Sequence, residues 1–126
     1  MNQKTILVSG AIAGALAVSI GAFGAHGLKQ ILLETQRSET FELAVRYQFY
    51  HTFAILLAGL FMQFFDERKL RLAAIFFLTG IFIFSGSLYA LSLTGMTILG
   101  AITPIGGVAF ILGWLFLMSA FVKPKK

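Results

Sequence analysis

The sequence contains no cysteine and only two prolines, and charged residues make up just 12% of its 126 positions. Without cysteine the chain forms no disulfide and offers neither a thiolate metal ligand nor a cysteine nucleophile. The low charge also excludes a soluble domain, because 58% of the residues are hydrophobic and a small fold leaves much of its area exposed. With no low-complexity segment or long linker, residues 1–126 are predicted to form one domain.

The net charge of +5 has the sign that nucleic-acid binding requires. The basic residues nevertheless lie in short clusters at the ends of apolar runs, as in the cytoplasmic flanks of membrane helices. The sequence therefore predicts an integral membrane protein whose partners are membrane lipids, with no nucleic acid among them.

Four apolar runs are each long enough to cross a hydrocarbon core, which needs about 20 helical residues. They cover approximately residues 5–25, 43–65, 70–93 and 97–122. Because unpaired backbone groups are costly in lipid, the predicted fold is all-α, a four-helix transmembrane bundle. The first run also resembles a cleaved signal peptide, since Lys4 precedes it and small residues end it, but its regular glycines favour a packed helix.

The basic residues are distributed unequally between the two sides of this bundle. If the helices alternate, the side with both termini carries Lys4, Arg68, Lys69, Arg71, Lys123, Lys125 and Lys126. The opposite side carries only Lys29 and Arg37, together with three acids. The positive-inside rule therefore predicts that both termini are cytoplasmic.

The segment between the first two runs predicts a short amphipathic helix in the outer interface. Its packed face would hold Leu28, Ile31, Leu32 and Thr35. Ser38 is predicted to cap the second span. Glu42, four residues before Arg46, is predicted to form an ion pair with it.

Small residues recur along the first run at Gly10, Gly14, Gly21 and Gly24, with a second stripe of alanine and valine beside them. Faces of this kind let neighbouring backbones approach closely. We therefore expect the first helix to be central, with the other helices around it. Similar rows of small residues on the third and fourth runs favour a homo-oligomer or a larger membrane complex.

Polar side chains are predicted to form one layer in the outer half of the bundle, at depths counted with a rise of about 1.5 Å per residue. The layer consists of His26, Arg46, Tyr50, His51, Ser85, Ser87, Tyr89 and Thr103. One interpretation is structural: Arg46 stacks on Tyr50, and His51 bonds to Ser85, Ser87 or Gln48. The other is a binding pocket for an anionic head group or small solute, with Arg46 as the charge. Pro104 either begins a helix capped by Thr103 or kinks one that began near Thr97.

Enzymatic readings find little support in the sequence. An intramembrane hydrolase using Ser85 or Ser87 with His51 is the alternative, but FSGSL is not a usual nucleophile context and no membrane carboxylate is present to orient the histidine. His26 and His51 are too few for a metal site, and no phosphate loop or dinucleotide motif is present. We expect no catalytic residue, metal or cofactor.

The strings GAFGAHGL, FELAVRYQFYHTFAILL, GIFIFSGSLYALSLTG and LGAITPIGGVAFILGW resemble a known family. It is the small membrane proteins catalogued as domain of unknown function 423, whose eukaryotic relatives are called transmembrane protein 256. The resemblance covers about residues 10–114 and implies a multi-span bacterial inner-membrane protein, but it supplies no activity. Its motifs include most of the polar layer, and also Gly86, Pro104 and Gly107. The predicted function is a binding or transport module, and the alternative is an accessory subunit of a membrane complex.

Overall fold

The computed structural model describes residues 1–125, and Lys126 of the predicted cytoplasmic flank lies outside them. The chain is all-α, with 84% helix and no β-strand within this range apart from a single bridge between Phe65 and Pro124. The elements are α1 (Gln3–Ala25), α2 (Lys29–Glu34), α3 (Ser38–Phe61), α4 (Glu67–Gly80), a π-helical turn (Ile81–Ser85), α5 (Gly86–Thr94), a 3-10 turn (Thr97–Ala101) and α6 (Thr103–Phe121).

Three helical stretches are long and apolar enough to cross a membrane: Gln3–Ala25, Glu67–Thr94 and Thr97–Phe121. The remaining predicted span, residues 43–65, overlaps α3, which has 24 residues but is not among these three. The reason lies in the segment 46–51, where Arg46, Gln48 and His51 interrupt the apolar sequence.

The helices alternate in direction between two ends of the molecule. At one end, which we call the termini end, the Gln3 side chain donates to the Gly59 carbonyl at 2.9 Å. The Lys125 amide donates to the Phe64 carbonyl at 2.8 Å, so both termini meet the α3–α4 connection. At the opposite end, the α2 end, Thr35 Oγ1 donates to the Ser92 carbonyl at 2.7 Å. This arrangement separates the two groups of charges that the orientation prediction uses.

The central helix is α3, and the prediction that the first helix is central was wrong. Helix α3 packs on α1, α2, α4, the π-helical turn and α5, whereas α1 packs mainly on α3. The glycines of α1 explain both facts, because they all lie toward one neighbour. A Cβ at Gly10 would meet Leu56, one at Gly21 would meet Val45, and one at Gly24 would overlap Phe41. The second stripe is exposed in the single chain; it consists of Ala11, Ala15, Val18, Ala22 and Ala25.

Two local predictions at the α2 end also need correction. Ser38 is the first residue of α3 and forms no capping hydrogen bond, since the position before the helix is Arg37. On α2, Leu32 is buried as predicted, but Ile31 is 41% exposed, because only one turn of this short helix faces the bundle.

Pro104 lies in the first turn of α6, where its missing N–H costs nothing. Of the two predictions made for Pro104, the one that it begins a helix is therefore correct. Thr103 is already helical and is not the cap that was predicted, because Ile102 occupies that position.

Candidate functional site

The predicted polar layer separates into interhelical hydrogen bonds and two clefts. Gln48 on α3 is buried and forms the most extended of the bonds. Its Nε2 donates to the Ala13 carbonyl of α1 at 2.9 Å, and its Oε1 accepts from the Tyr89 hydroxyl of α5 at 2.6 Å. The Gln48 side chain therefore joins three helices across the bundle.

The two serines of FSGSL bond to different neighbours. Ser85, at the end of the π-helical turn, donates to the Ala44 carbonyl of α3 at 2.8 Å. Ser87 and Thr103 share a hydrogen bond of 2.6 Å between α5 and the start of α6. All three hydroxyls are buried and satisfied, which is what a water-free environment requires.

His51 is 4% exposed and bonded at both ring nitrogens. Its Nδ1 lies 2.7 Å from the Tyr47 carbonyl, and its Nε2 lies 3.2 Å from Nε1 of Trp114 on α6. A carbonyl only accepts and an indole N–H only donates, so Nδ1 carries the proton and the ring is the neutral tautomer. The ring also stacks on Phe110, with centroids 3.4 Å apart and planes 6° from parallel.

The interhelical bond predicted for His51 therefore exists, but its predicted partners Ser85, Ser87 and Gln48 were wrong. The hydrolase alternative requires a hydrogen bond between His51 and Ser85 or Ser87. Within residues 1–125, both nitrogens of His51 and both serine hydroxyls instead bond to other groups. No group of three or more metal-ligating side chains comes together among the described residues.

Arg46 and His26 lie apart from these bonds. Both are exposed, and His26 ends α1. The ion pair predicted between Glu42 and Arg46 is not formed, and Arg46 does not stack on Tyr50.

Arg46 instead lines a cleft of about 420 Å³ between α1, α2 and the start of α3, which we call the cationic cleft. Lys29, Ser38 and Glu42 supply its other polar groups. Its remaining walls are Gly21, Gly24, Ala25, Leu32, Leu33, Phe41 and Val45.

A second cleft, of about 630 Å³, lies on another face of α3, between α3 and α6. We call it the aromatic cleft. It is lined by Tyr47, Tyr50, His51, Phe84, Pro104, Gly107, Val108, Phe110, Ile111 and Trp114. Tyr50, one of the predicted site residues, is here 55% exposed.

Sequence reasoning missed three residues that shape these sites. Lys29 counted only as a flanking charge, although its place one turn after α1 brings it into the same cleft as Arg46. Trp114 was not considered, although an indole N–H inside a membrane helix signals a buried partner. Gln48 was weighed only as a partner of His51, and its own role as the three-helix bridge needed the packing of α1 on α3.

Comparison with known proteins shows where the chain belongs. Residues 20–107 match a family described as "Protein of unknown function (DUF423)". A UPF0382 membrane protein of Staphylococcus epidermidis is 46% identical over 121 residues, covering 96% of this chain and 98% of its own length. The UPF0382 membrane protein YwdK of Bacillus subtilis is 43% identical, covering 96% and 98%. The UPF0382 inner membrane protein YgdD of Escherichia coli is 32% identical, covering 100% and 95%.

No solved structure matches the chain. The names of these relatives and the three membrane-capable helices confirm the predicted multi-pass location in a bacterial inner membrane. The family that the sequence motifs resembled is also confirmed, since the match covers most of the chain and the relatives are similar over nearly their full length. The chain belongs to the DUF423 family of membrane proteins.

Proposed function

We propose that the protein is a four-span membrane binding module, with α3 as the fourth span, that holds the head group of an anionic lipid in the cationic cleft. The carrying observation is that Lys29 and Arg46 line the same cleft while neither forms an ion pair within residues 1–125. With Glu42 as the one acidic lining residue, the cleft keeps a net charge of +1 (+2 − 1).

The chemistry of the two cations suits a phosphate. A guanidinium binds two phosphate oxygens at once, and a flexible ammonium adds a point charge beside it. At the membrane boundary both side chains can keep their heads in the polar layer while their stems cover apolar surface. The apolar floor of the cleft, from Gly21 and Gly24 to Phe41 and Val45, gives the adjoining acyl chain a surface to lie on.

The predicted orientation places this cleft in the outer leaflet, because it lies at the α2 end and the basic residues favour cytoplasmic termini. A transport role would need a path through the bundle toward the termini end. The residues that line the cationic cleft all lie between positions 21 and 46, at the α2 end, so the proposal is binding without translocation.

The test is lipid binding by the purified full chain. Phosphatidylglycerol is offered in phosphatidylcholine nanodiscs, and bound lipid is counted by native mass spectrometry. We expect retention of phosphatidylglycerol over phosphatidylcholine, and a loss of about tenfold in that preference in Arg46→Gln and Lys29→Gln, since each removes a charge-assisted contact worth roughly 1.5 kcal/mol.

Arg37→Gln is the matched control, because Arg37 lies at the same end of the molecule but does not line the cleft. It should leave the preference unchanged. If all three variants lose phosphatidylglycerol equally, general surface charge explains the binding and the proposed site is wrong.

An accessory role in a larger complex, or a homo-oligomer, is the second candidate. It is favoured by α1, whose outer face exposes Val8, Ile12, Leu16 and Val18 while the inner face packs mainly on one neighbour. Such an apolar face can be covered either by lipid or by another protein. A monomeric, partner-free particle after purification in mild detergent would contradict this second candidate and leave the first intact.

A further inference from the structure

The aromatic cleft is a separate site on another face of α3, and its chemistry differs from that of the cationic cleft. Its lining contains no formally charged side chain. It is walled by aromatic rings and carries two phenols, those of Tyr47 and Tyr50. Neither phenol hydroxyl has a hydrogen-bond partner within residues 1–125, and the Tyr50 side chain is 55% exposed.

The floor of this cleft is fixed in place. His51 is held by the Tyr47 carbonyl and the Trp114 indole and lies flat on Phe110, while Tyr47 stacks on Phe84 with centroids 4.7 Å apart. From Pro104 to Trp114 the lining spans eleven residues of α6, which is about 15 Å along the helix. A rigid, elongated, mostly apolar cleft with a few hydrogen-bond donors is the usual form of a small-molecule site.

We propose that the aromatic cleft binds a neutral lipid whose head group is a planar, carbonyl-bearing ring, as in an isoprenoid quinone. The ring lies against the aromatic walls, and its carbonyl oxygens accept from the hydroxyls of Tyr47 and Tyr50. The apolar tail follows the α3–α6 groove past Val108 and Ile111 into the bilayer.

The alternatives fit less well. A charged head group has no opposite charge to meet in this lining, and a simple acyl chain would leave both phenol donors unused at a depth where water is scarce. A sugar head group needs many more polar partners than two hydroxyls. A flat ring with two acceptors uses both the ring faces and the donors.

The chain supplies its own reporter, because Trp114 is its only tryptophan and lines the cleft. The probe is 2-methyl-1,4-naphthoquinone, added to the purified full chain in phosphatidylcholine nanodiscs while tryptophan emission is recorded. We expect saturable quenching. Tyr47→Phe combined with Tyr50→Phe should raise the apparent Kd about tenfold, since two hydrogen bonds are lost.

Gly107→Leu is designed to fill the cleft without disturbing the helix packing, because a Cβ at Gly107 meets only Phe84 Cδ2 at 3.9 Å. Gly86→Leu is the matched control: a Cβ there meets nothing within 4 Å, and Gly86 lies outside both clefts. We expect saturable quenching to vanish in Gly107→Leu and to persist in Gly86→Leu.

Quenching that rises linearly without saturation would show simple partitioning of the probe into the bilayer and would overturn the proposal. So would equal Kd values for the wild type and the double tyrosine variant, a result that stands even if Gly107→Leu fails to fold. A copurifying protein that shields Trp114 until it is removed would assign the cleft to a partner helix instead. Phosphatidylglycerol should not compete with the probe, so this outcome is independent of the cationic cleft.

Discussion

At the scale of single residues, the buried polar groups act in pairs and bridges whose members depend on one another. Gln48 shows this most clearly, because its amide satisfies a carbonyl of α1 and a hydroxyl of α5 at once. Within a membrane, such a group that loses its partner finds no water to replace it. The pair of Gln48 and Tyr89 is therefore expected to be coupled energetically.

We predict that Gln48→Met, which keeps the side-chain volume, lowers the free energy of unfolding by about 1–2 kcal/mol, the usual range for interhelical hydrogen bonds in membranes. The loss arises because the Tyr89 hydroxyl is left without an acceptor, while the Ala13 carbonyl loses its second donor and keeps only its bond within α1. The measurement is reversible unfolding in mixed micelles, followed by helical circular dichroism.

The control is a double-mutant cycle with Tyr89→Phe. Once Gln48 is replaced, the Tyr89 hydroxyl has lost its acceptor, so its removal should cost less than in the wild type. The expected coupling energy is about 0.6–1.7 kcal/mol. Strictly additive effects of the two substitutions would contradict the bridge.

The residues of the polar layer could be predicted from the sequence because depth follows directly from counting along helices of known rise. Their partners could not, because a hydrogen bond also depends on the rotation of each helix about its axis. His51 illustrates the limit: its burial and its interhelical bond follow from its depth, but Trp114 comes from α6, whose facing side no sequence pattern indicated.

At the scale of elements, the π-helical turn and the glycines of α6 set how closely two helices approach. Gly106 lies against the backbone of Phe84, inside the turn Ile81–Ser85, so closely that a Cβ there would overlap the Phe84 amide nitrogen. A Cβ at the neighbouring Gly107 would make only an ordinary contact, with Phe84 Cδ2 at 3.9 Å. The two adjacent glycines therefore have different structural roles.

We predict that Gly106→Ala destabilises the protein by about 1–3 kcal/mol, the typical cost of forcing extra volume into a packed interface. Gly107→Ala should be nearly neutral. Thermal unfolding of both variants in the same detergent measures the difference, and the pair controls for any general effect of alanine on α6. Equal melting temperatures for the two variants would mean that the close contact with Phe84 is absent.

The fold at this scale shows both the reach and the limit of sequence reasoning. Three of the four predicted spans correspond to helices that are long and apolar enough to cross a membrane, because apolar length is a property of each helix alone. The other predicted span, residues 43–65, overlaps α3, which begins five residues earlier and ends four residues earlier. The central position given to α1 was wrong because its glycine spacing indicates which face packs closely and says nothing about how many neighbours there are. Helix α3 is not among the three membrane-capable stretches, and two of the polar residues that interrupt it, Gln48 and His51, bond to neighbouring helices.

At the scale of the whole molecule, α3 separates the two clefts. Phe41, Glu42, Val45 and Arg46 face the cationic cleft, and Tyr47, Tyr50 and His51 face the aromatic cleft. Both sites therefore depend on α3 crossing the bilayer with its N-terminal half outward, next to lipid on either side. Orientation is thus the property on which both proposals rest.

The absence of native cysteine makes that orientation directly measurable. We predict that single cysteines at Arg37 and Met96, at the α2 end, react with a membrane-impermeant maleimide added to intact cells. Cysteines at Gln63 and Lys123, at the termini end, should react only after the membrane is permeabilised. The physical reason is the excess of basic residues at the termini end, which by the positive-inside rule predicts that this end is cytoplasmic. Reaction of positions 37 and 63 from the same side would show that α3 does not span the membrane. Labelling of position 123 in intact cells would show that the orientation is the reverse of the predicted one and that both clefts lie in the inner leaflet.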